Sequence, residues 1–224
     1  MKLGDSFPNF TAKTNLGEIT FYDHKGENWA ILFSHPADFT PVCTTELARA
    51  ASLAEEFKKR KVVLLALSCD SAETHKEWIN DITAYADDAK VTAEQFPFEI
   101  IEDHSRELAT KLEMLDPNEL DKEGLPLTAR AVFIIGPKND LKASILYPAT
   151  TGRNFDEILR LVDSLQLTMK HPIATPENWK NGDDCVAQPS LKDNEVKDIF
   201  GEDKVKFIDL PSKKSYLRKV PQPN

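Results

Sequence analysis

A short apolar run gives way to a helical pattern early in the chain, and a cysteine lies at the change. Residues 29–33 predict a buried strand, and apolar residues recur at helical spacing over 47–57. Thr40 and Pro41 suit the N-cap and the first helical position, because proline lacks only an N–H group that would be unpaired there. Cys43 therefore falls in the first turn of the predicted helix.

The position of Cys43 favours a reactive thiol. Free backbone N–H groups and the positive end of the helix dipole stabilise an anion at a helix N-terminus. A thiol with the ordinary pKa of about 8.5 is only about 3% thiolate at pH 7, and helix N-termini lower thiol pKa values. Since only the thiolate is a good nucleophile, the pattern predicts a nucleophilic cysteine. A buried cysteine that acts as a small hydrophobe is the alternative that placement alone leaves open.

The residues around Cys43 resemble the peroxidatic-cysteine motif of the peroxiredoxins. The pattern Pro-x-x-x-Thr-x-x-Cys is formed here by Pro36, Thr40 and Cys43. With His35 before the proline and 44–46 reading Thr-Thr-Glu, the longer sequence is similar to the 1-Cys branch of that family, the peroxiredoxin 6 group. The resemblance covers essentially the whole chain. Its further matches lie at 128–130 and 147–157.

Strands alternate with helices along the chain, which predicts an α/β fold with a central mixed sheet and helices on both faces. The helix of Cys43 is expected to end near residue 60. The other predicted elements are strands at 17–23, 62–67, 96–101, 129–135 and 142–147, the last two forming a hairpin, and helices at 72–86, 106–115 and 155–168. This order is compatible with the thioredoxin-like fold, which the resemblance implies.

The composition changes near residue 170. The segment 170–224 holds 6 of the 14 prolines and has no strong apolar periodicity. We therefore predict a thioredoxin-like peroxidase domain at 1–169 and a small C-terminal peroxiredoxin domain or arm at 170–224. Such an arm is expected to pack on the main domain or on a partner subunit.

Charge and hydropathy exclude several classes of function. The formal net charge is −9, and nothing resembles the basic stripe that neutralises phosphates, so nucleic acid is not an expected partner. No apolar run approaches the length of a membrane span, so stable membrane insertion is not expected. The first residues lack the apolar core of a signal peptide, and a cytoplasmic protein is the expectation.

The chain has three cysteines, Cys43, Cys69 and Cys185, and none of them forms a Cys-x-x-Cys pair. The five histidines show no metal-binding spacing. Redox chemistry is therefore expected from a lone thiol, with no bound metal or cofactor. The missing second cysteine also argues against general disulfide exchange.

The resemblance implies roles for the residues near the sulfur. Arg130 would lie beside the thiolate; from the sequence alone it could equally form a salt bridge at a strand edge. The hydroxyl of Thr40, one helical turn before Cys43, would bond to thiolate and peroxide, with N-capping as the alternative. Pro36 would shield the site from water. Arg153 would position Arg130 or the glutamate that follows the cysteine.

His35 leaves two possibilities open. A histidine near a thiol could share its proton or bond to the peroxide, because histidine titrates close to physiological pH. It could equally be a loop residue whose ring is satisfied by backbone groups.

The expected activity is that of a thiol-dependent peroxidase for antioxidant defence, reducing hydrogen peroxide and organic or lipid hydroperoxides. Attack by Cys43 gives a sulfenic acid. Cys185 lacks the Val-Cys-Pro setting of the resolving cysteine in 2-Cys relatives, so an external small thiol such as glutathione should regenerate the enzyme. Resolution by Cys185 across subunits is the alternative.

A second class of function would use the same cysteine. In a peroxide-gated holdase or a redox sensor, oxidation of Cys43 would change the oligomer rather than drive turnover. For either class, the resemblance implies a homodimer or a higher homo-oligomer.

Overall fold

The computed structural model describes residues 1–88 and 90–223. They divide into two compact units, Met1–Phe155 and a second unit that begins at Asp156. The domains predicted from the sequence, 1–169 and 170–224, place the boundary later, at the end of the helix that starts at Phe155. That division remains a prediction.

The first unit contains nine strands and five helices among its described residues. In chain order they are β1 Thr11–Thr14, β2 Gly17–Thr20, α1 Phe21–Lys25, β3 Trp29–Ser34, α2 Pro41–Ser52, α3 Ala54–Lys59, β4 Val62–Ser68, α4 Ala72–Ala86, β5 Glu99–Glu102, α5 Glu107–Lys111, β6 Leu115–Leu120, β7 Pro126–Thr128, β8 Arg130–Ile135 and β9 Leu141–Tyr147.

Seven of the strands form a mixed sheet in the order β2-β1-β5-β4-β3-β8-β9. The central strands β3, β4 and β5 are parallel, and β8 pairs antiparallel with both β3 and β9. Every residue of β3 and β8 is buried, as expected for nearly continuous apolar strands covered on both faces. The predicted mixed α/β fold is confirmed.

Adjacent residues of β3 reach opposite faces of this sheet, because strand side chains alternate. Leu32 belongs to a buried apolar cluster that includes Phe7. Phe33 instead packs edge-on against Phe98 and Phe155, with ring centroids 5.5 Å apart in both pairs. The strand that leads to the cysteine loop is thus fixed from both sides.

Four predicted elements differ from the structure. The strand predicted at 96–101 begins only at Glu99. The strand predicted at 17–23 ends at Thr20, and the chain continues as α1. The helix predicted to reach residue 60 is interrupted at Leu53, whose φ of −95° and ψ of 0° are not helical. The helix predicted at 106–115 is only α5, because Arg106 and Glu113 both adopt left-handed backbone conformations that a helix interior does not accommodate.

The second unit begins at Asp156, the second residue of a long helix that starts at Phe155. Its elements are α6 Phe155–Lys170, β10 Ile173–Ala174, β11 Cys185–Ala187, α7 Asp193–Phe200, β12 Lys206–Phe207 and β13 Arg218–Val220. The four strands form an antiparallel sheet in the order β10-β11-β13-β12. Its core includes Trp179, Cys185 and Val196. The predicted small C-terminal domain is confirmed.

Within residues 1–88 and 90–223, none of the helices has the length and apolar character that a membrane span requires.

Candidate active site

Cys43 lies in the first turn of α2, as predicted. Pro41 is the first helical residue, and Thr40 before it has an extended backbone, with φ of −114° and ψ of 147°. Backbone N–H groups in the first turn of a helix have no intrahelical acceptor, so they face the start of α2 as free donors. The cysteine itself has no exposed surface.

The loop before α2 holds Thr40 in a way that the sequence did not predict. Phe39 adopts a left-handed conformation with φ of 52°, which is strained for a bulky residue. The hydroxyl of Thr40 donates a hydrogen bond to the carbonyl of Ala37 at 2.8 Å. Thr40 occupies the predicted N-cap position of α2, but its hydroxyl makes no capping hydrogen bond within the described chain. The hydroxyl oxygen of Thr40 keeps its lone pairs, with which it can accept a hydrogen bond.

Arg130 is the first residue of β8, and its side chain reaches the sulfur. Its Nη1 lies 3.3 Å from Sγ of Cys43 and 2.7 Å from Oε2 of Glu46. Its Nε and Nη2 donate to the carbonyl of Ala149, at 2.9 and 2.6 Å. The planar guanidinium is thus fixed on two sides, in the position beside the sulfur that the resemblance implied.

Glu46 connects this arginine to a second one. It lies one helical turn after Cys43 and is buried. Its Oε1 accepts from the backbone N–H and Nε of Arg153 at 2.6 and 2.9 Å, and its Oε2 accepts from Nη2 of Arg153 at 2.8 Å. Burial opposes ionisation of Glu46, but the hydrogen bonds and charge of Arg153, with the charge of Arg130, hold its pKa below the ordinary value.

Arg153 is itself held firmly. Its Nη1 donates to the carbonyl of Ala131 at 2.7 Å. Its guanidinium carbon lies 5.6 Å from the ring centre of Phe33 and 5.8 Å from that of Phe155, within the range of cation–π attraction. The prediction that Arg153 contacts Arg130 or Glu46 is confirmed for Glu46.

The charged side chains nearest the sulfur carry one more positive charge than negative charge. Arg130 and Arg153 are always protonated, and Glu46 supplies one negative charge for the two. An uncompensated charge is costly in a buried site. A thiolate at Cys43, in hydrogen-bond contact with Arg130, makes the group neutral. The arrangement therefore stabilises a buried anion at Sγ.

His35 belongs to a buried cluster that also contains Asp38 and His75. Nε2 of His35 lies 2.9 Å from Oδ1 of Asp38, and Nδ1 of His75 lies 2.6 Å from Oδ2 of the same carboxylate. Although burial opposes it, the hydrogen bonds from His35 and His75 lower the pKa of Asp38 to about 2. The sequence analysis missed both Asp38 and His75.

An aromatic side chain, Trp78, contacts both this cluster and α2. The ring of Trp78 lies 5.1 Å from that of His35, centre to centre. Its Nε1 donates to the hydroxyl of Thr44, the residue after the cysteine, at 3.1 Å. Pro36, between His35 and the rest of the loop, is buried. Its proposed shielding of the sulfur remains a prediction.

One imidazole and two carboxylates near the loop lie close enough to one another to bind one cation. Candidate ligand atoms of His35, Asp38 and Asp70 are within 4.8 Å of one another. However, His35 already bonds to Asp38, and Oδ2 of Asp70 accepts from the backbone N–H of Asp38 and from the hydroxyl of Ser68. A metal ion would have to replace these bonds.

The other two cysteines are buried and hard to ionise. Cys69 follows β4, and burial raises the pKa of its thiol to about 11. Cys185 lies in β11 of the second unit, and burial raises the pKa of that thiol as well. Neither environment contains the pair of arginines found beside Cys43.

The chain matches known families and proteins over nearly its full length. Residues 3–144 match the AhpC/TSA family, and residues 164–202 match the C-terminal domain of 1-Cys peroxiredoxin. A 1-Cys peroxiredoxin of Dirofilaria immitis is 60% identical, over 99% of this chain and 97% of the relative. Peroxiredoxin-6 of Gallus gallus is 61% identical, with the same coverage.

Solved structures agree with these matches. A cysteine-to-serine mutant of the peroxiredoxin 6 of Arenicola marina superposes with a TM-score of 0.94 at 52% identity, covering 100% of this chain and 99% of its own. A yeast mitochondrial 1-Cys peroxiredoxin, whose structure describes thiol resolution through glutathione/thioredoxin systems, gives a TM-score of 0.85 at 40% identity, covering 99% of each chain. With a buried thiol in contact with Arg130, and with relatives of this similarity along its length, the chain belongs to the 1-Cys peroxiredoxins of the AhpC/TSA family.

Proposed function

We propose that Cys43 is the nucleophile with which this thiol peroxidase reduces hydrogen peroxide and organic hydroperoxides, including those of lipids. The observation that carries this assignment is the excess positive charge at a buried sulfur, with Arg130 in direct contact at 3.3 Å. A thiolate in this position is both stabilised and aligned. Cys69 and Cys185 lack that environment.

In the first half-reaction, the thiolate of Cys43 attacks the nearer peroxide oxygen. The O–O bond breaks, its electron pair leaves with the distal oxygen, and that oxygen takes a proton to give water or an alcohol. Cys43 is oxidised to the sulfenic acid. Nη1 of Arg130 is placed to stabilise the charge that moves from sulfur to oxygen, as preorganised donors do in other enzymes.

Thr40 and His35 are proposed to bind the peroxide. The hydroxyl of Thr40 donates its hydrogen to the carbonyl of Ala37. The hydroxyl oxygen of Thr40 is therefore available to accept a hydrogen bond from the O–H group of the peroxide. Free N–H groups at the start of α2 can donate to the same molecule. Pro36 covers the loop beside them.

In the second half-reaction, an external thiol attacks the sulfenic acid, forming a mixed disulfide and releasing water. A second thiol then releases Cys43 and becomes part of the small disulfide. The yeast mitochondrial relative is described as resolved by glutathione/thioredoxin systems, which supports glutathione or a similar thiol here. That the reaction needs no bound cofactor and takes place in the cytoplasm remains a prediction from the sequence.

A homodimer is proposed through the edge of the large sheet. β9 is the last strand of that sheet; Leu141 at its start bonds to Gly4 and Asp5, and no strand of the described residues borders the rest of its outer side. Leu146 on this strand is 67% exposed, and Tyr147 is also exposed. An apolar edge strand favours pairing with another strand, and a second copy of β9 is a suitable partner.

Peroxide consumption with excess glutathione or dithiothreitol tests the assignment. Cys43→Ser should abolish turnover. Cys69→Ser, which removes a buried thiol of the same unit, should keep at least half of the wild-type rate. A holdase or sensor would instead show negligible turnover in the wild type, with client protection that requires oxidised Cys43. The family membership favours the enzyme.

A further inference from the structure

One nitrogen of the buried histidine cluster lacks a partner. His35 is fully buried, and its Nε2 bonds to Asp38, but its Nδ1 has no hydrogen-bond partner among the described residues. Leaving a buried polar atom unpaired costs stability, so such atoms in folded proteins are usually satisfied by water, a ligand or a functional group. Trp78 contacts the ring of His35 and also donates to Thr44, the residue after Cys43, so this nitrogen lies in the region of the cysteine loop.

The hydrogen bonds of the cluster determine where its protons are. The carboxylate of Asp38 faces an imidazole nitrogen on each side, and its low pKa, about 2, keeps it ionised at neutral pH. A carboxylate only accepts hydrogen bonds, so Nε2 of His35 and Nδ1 of His75 both carry hydrogen. In a neutral His35 ring, Nδ1 then carries the lone pair.

His75 is held from its other side as well. Its Nε2 lies 3.3 Å from the carbonyl of Ile101, another acceptor. Both ring nitrogens of His75 thus face acceptors, which fixes the orientation of the ring. Together the two histidine rings fix the carboxylate of Asp38 between them. Asp38 is further anchored through its backbone N–H, which donates to Asp70 at 2.9 Å.

We propose that Asp38 and His75 are positioning residues that hold His35 in the Nε2-protonated tautomer, so that its Nδ1 accepts the hydrogen bond of the peroxide O–H group. This inference rests on the proposed function and adds to it the two residues that the histidine depends on. Neither touches the peroxide. Both act by keeping one nitrogen of His35 free of hydrogen, because an Nδ1–H group cannot accept a hydrogen bond from the peroxide O–H group.

A double-mutant cycle on the second-order rate constant for oxidation of Cys43 by hydrogen peroxide tests the proposal. His35→Ala and Asp38→Asn are each expected to slow this step about tenfold, within the range that acid–base and hydrogen-bonding groups contribute. If Asp38 acts only through His35, the double variant is no slower than His35→Ala alone. His75→Ala should slow the step, whereas His75→Gln, whose amide can still donate to Asp38, should stay within about threefold of the wild type.

Two further measurements separate positioning from a merely structural role. Nitrogen-15 spectra of the histidine side chains should show His35 protonated at Nε2 and not at Nδ1 in the wild type, with the preference lost in Asp38→Asn. Glu77→Gln, which changes an exposed carboxylate of α4 two residues after His75, should leave the rate within about twofold. Circular dichroism should confirm that each variant is folded.

The outcomes distinguish this inference from the assignment of the nucleophile. An Asp38→Asn rate equal to the wild type would overturn the inference while Cys43→Ser remained inactive. The inference would also be overturned if the double variant were slowed by the product of the two single effects, or if the spectra showed His35 protonated at Nδ1. A His75→Gln variant as slow as His75→Ala would overturn it as well. Full activity in Cys43→Ser would refute the proposed function itself.

Discussion

Arg153 binds both carboxylate oxygens of Glu46 through its backbone N–H, Nε and Nη2, at 2.6, 2.9 and 2.8 Å. All of these groups are buried, and the second oxygen is shared with Arg130. Glu46 therefore does more than pair with one arginine: it fixes the position of the guanidinium that contacts the sulfur.

Glu46→Gln is expected to lower the free energy of unfolding by about 3–5 kcal/mol, because removing one member of a buried ionic group leaves the others uncompensated. Urea denaturation measures this change. Glu55→Gln serves as the control, since Glu55 is 71% exposed and pairs with exposed Lys58; exposed pairs contribute less than about 1 kcal/mol. Equal stability of the two variants would contradict the central role of Glu46.

Arg130→Lys should slow oxidation of Cys43 about 10²-fold, the usual effect of losing a preorganised donor to a charge that develops in the transition state. Lysine keeps the charge but not the planar fork that contacts Ala149, Glu46 and Cys43 together. Stopped-flow kinetics with hydrogen peroxide measures the step. Lys58→Ala, which removes an exposed cation, should have the wild-type rate. A fully active Arg130→Lys would mean that charge alone is sufficient.

Local pattern explains what the sequence could predict. The apolar run of β3, the proline at the start of α2 and the stripe of α4 are each encoded within a few neighbouring residues. The bounds of β3 and α4 and the start of α2 were predicted closely, but not the end of α2. The contact of Arg130 with the sulfur was expected from the family motif rather than from any local pattern.

Long-range pairing explains what was missed. Asp38 and His75 are 37 residues apart, so no periodicity connects them, and the pairing of Glu46 with Arg153, 107 residues apart, was expected only from the resemblance. Strands of two or three residues, such as β10 and β12, are too short to show alternation. The i, i+3 spacing of His35 and Asp38 was the one signal in the sequence that could have revealed part of the histidine cluster.

Treatment with one equivalent of peroxide should produce a sulfenic acid at Cys43 alone. At pH 7 about one thiol in 10⁴ is ionised when its pKa is about 11, as burial makes that of Cys69, and burial also raises the pKa of Cys185. Labelling with dimedone followed by mass spectrometry locates the oxidised residue. A disulfide between Cys43 and Cys185 would show that the second cysteine resolves the first, contrary to the 1-Cys mechanism.

The stabilisation that Asp38 provides should disappear in acid. Its pKa in the folded protein, about 2, lies below the ordinary 3.8, so its contribution is present above about pH 4 and is lost as the pH falls toward 2. The stability difference between the wild type and Asp38→Asn should therefore shrink by about 2 kcal/mol between pH 5 and pH 2. Urea unfolding at several pH values measures it. If the stability difference did not change with pH, the two histidines would not lower the pKa of Asp38 in the folded protein.

Leu146→Lys should weaken the proposed dimer, because a charge on an edge strand disfavours pairing with another strand. Light scattering after size-exclusion chromatography should show a shift toward the monomer at low micromolar concentration. Leu16→Lys is a matched control: Leu16 is also 67% exposed but lies in the turn between β1 and β2. If both variants keep the wild-type mass, the interface lies elsewhere.

Because Cys43 has no exposed surface, any reactant reaches its sulfur only when the start of α2 or the preceding loop moves aside. Such openings are brief and local, and larger ones are rarer than smaller ones. Hydrogen peroxide passes through a narrower gap than a tripeptide thiol, so the two halves of the catalytic cycle depend on different fluctuations of one segment. The lifetime of the sulfenic acid then depends on how often the wider gap forms. A substitution at Phe39, whose backbone is strained, can change that lifetime without contacting either reactant.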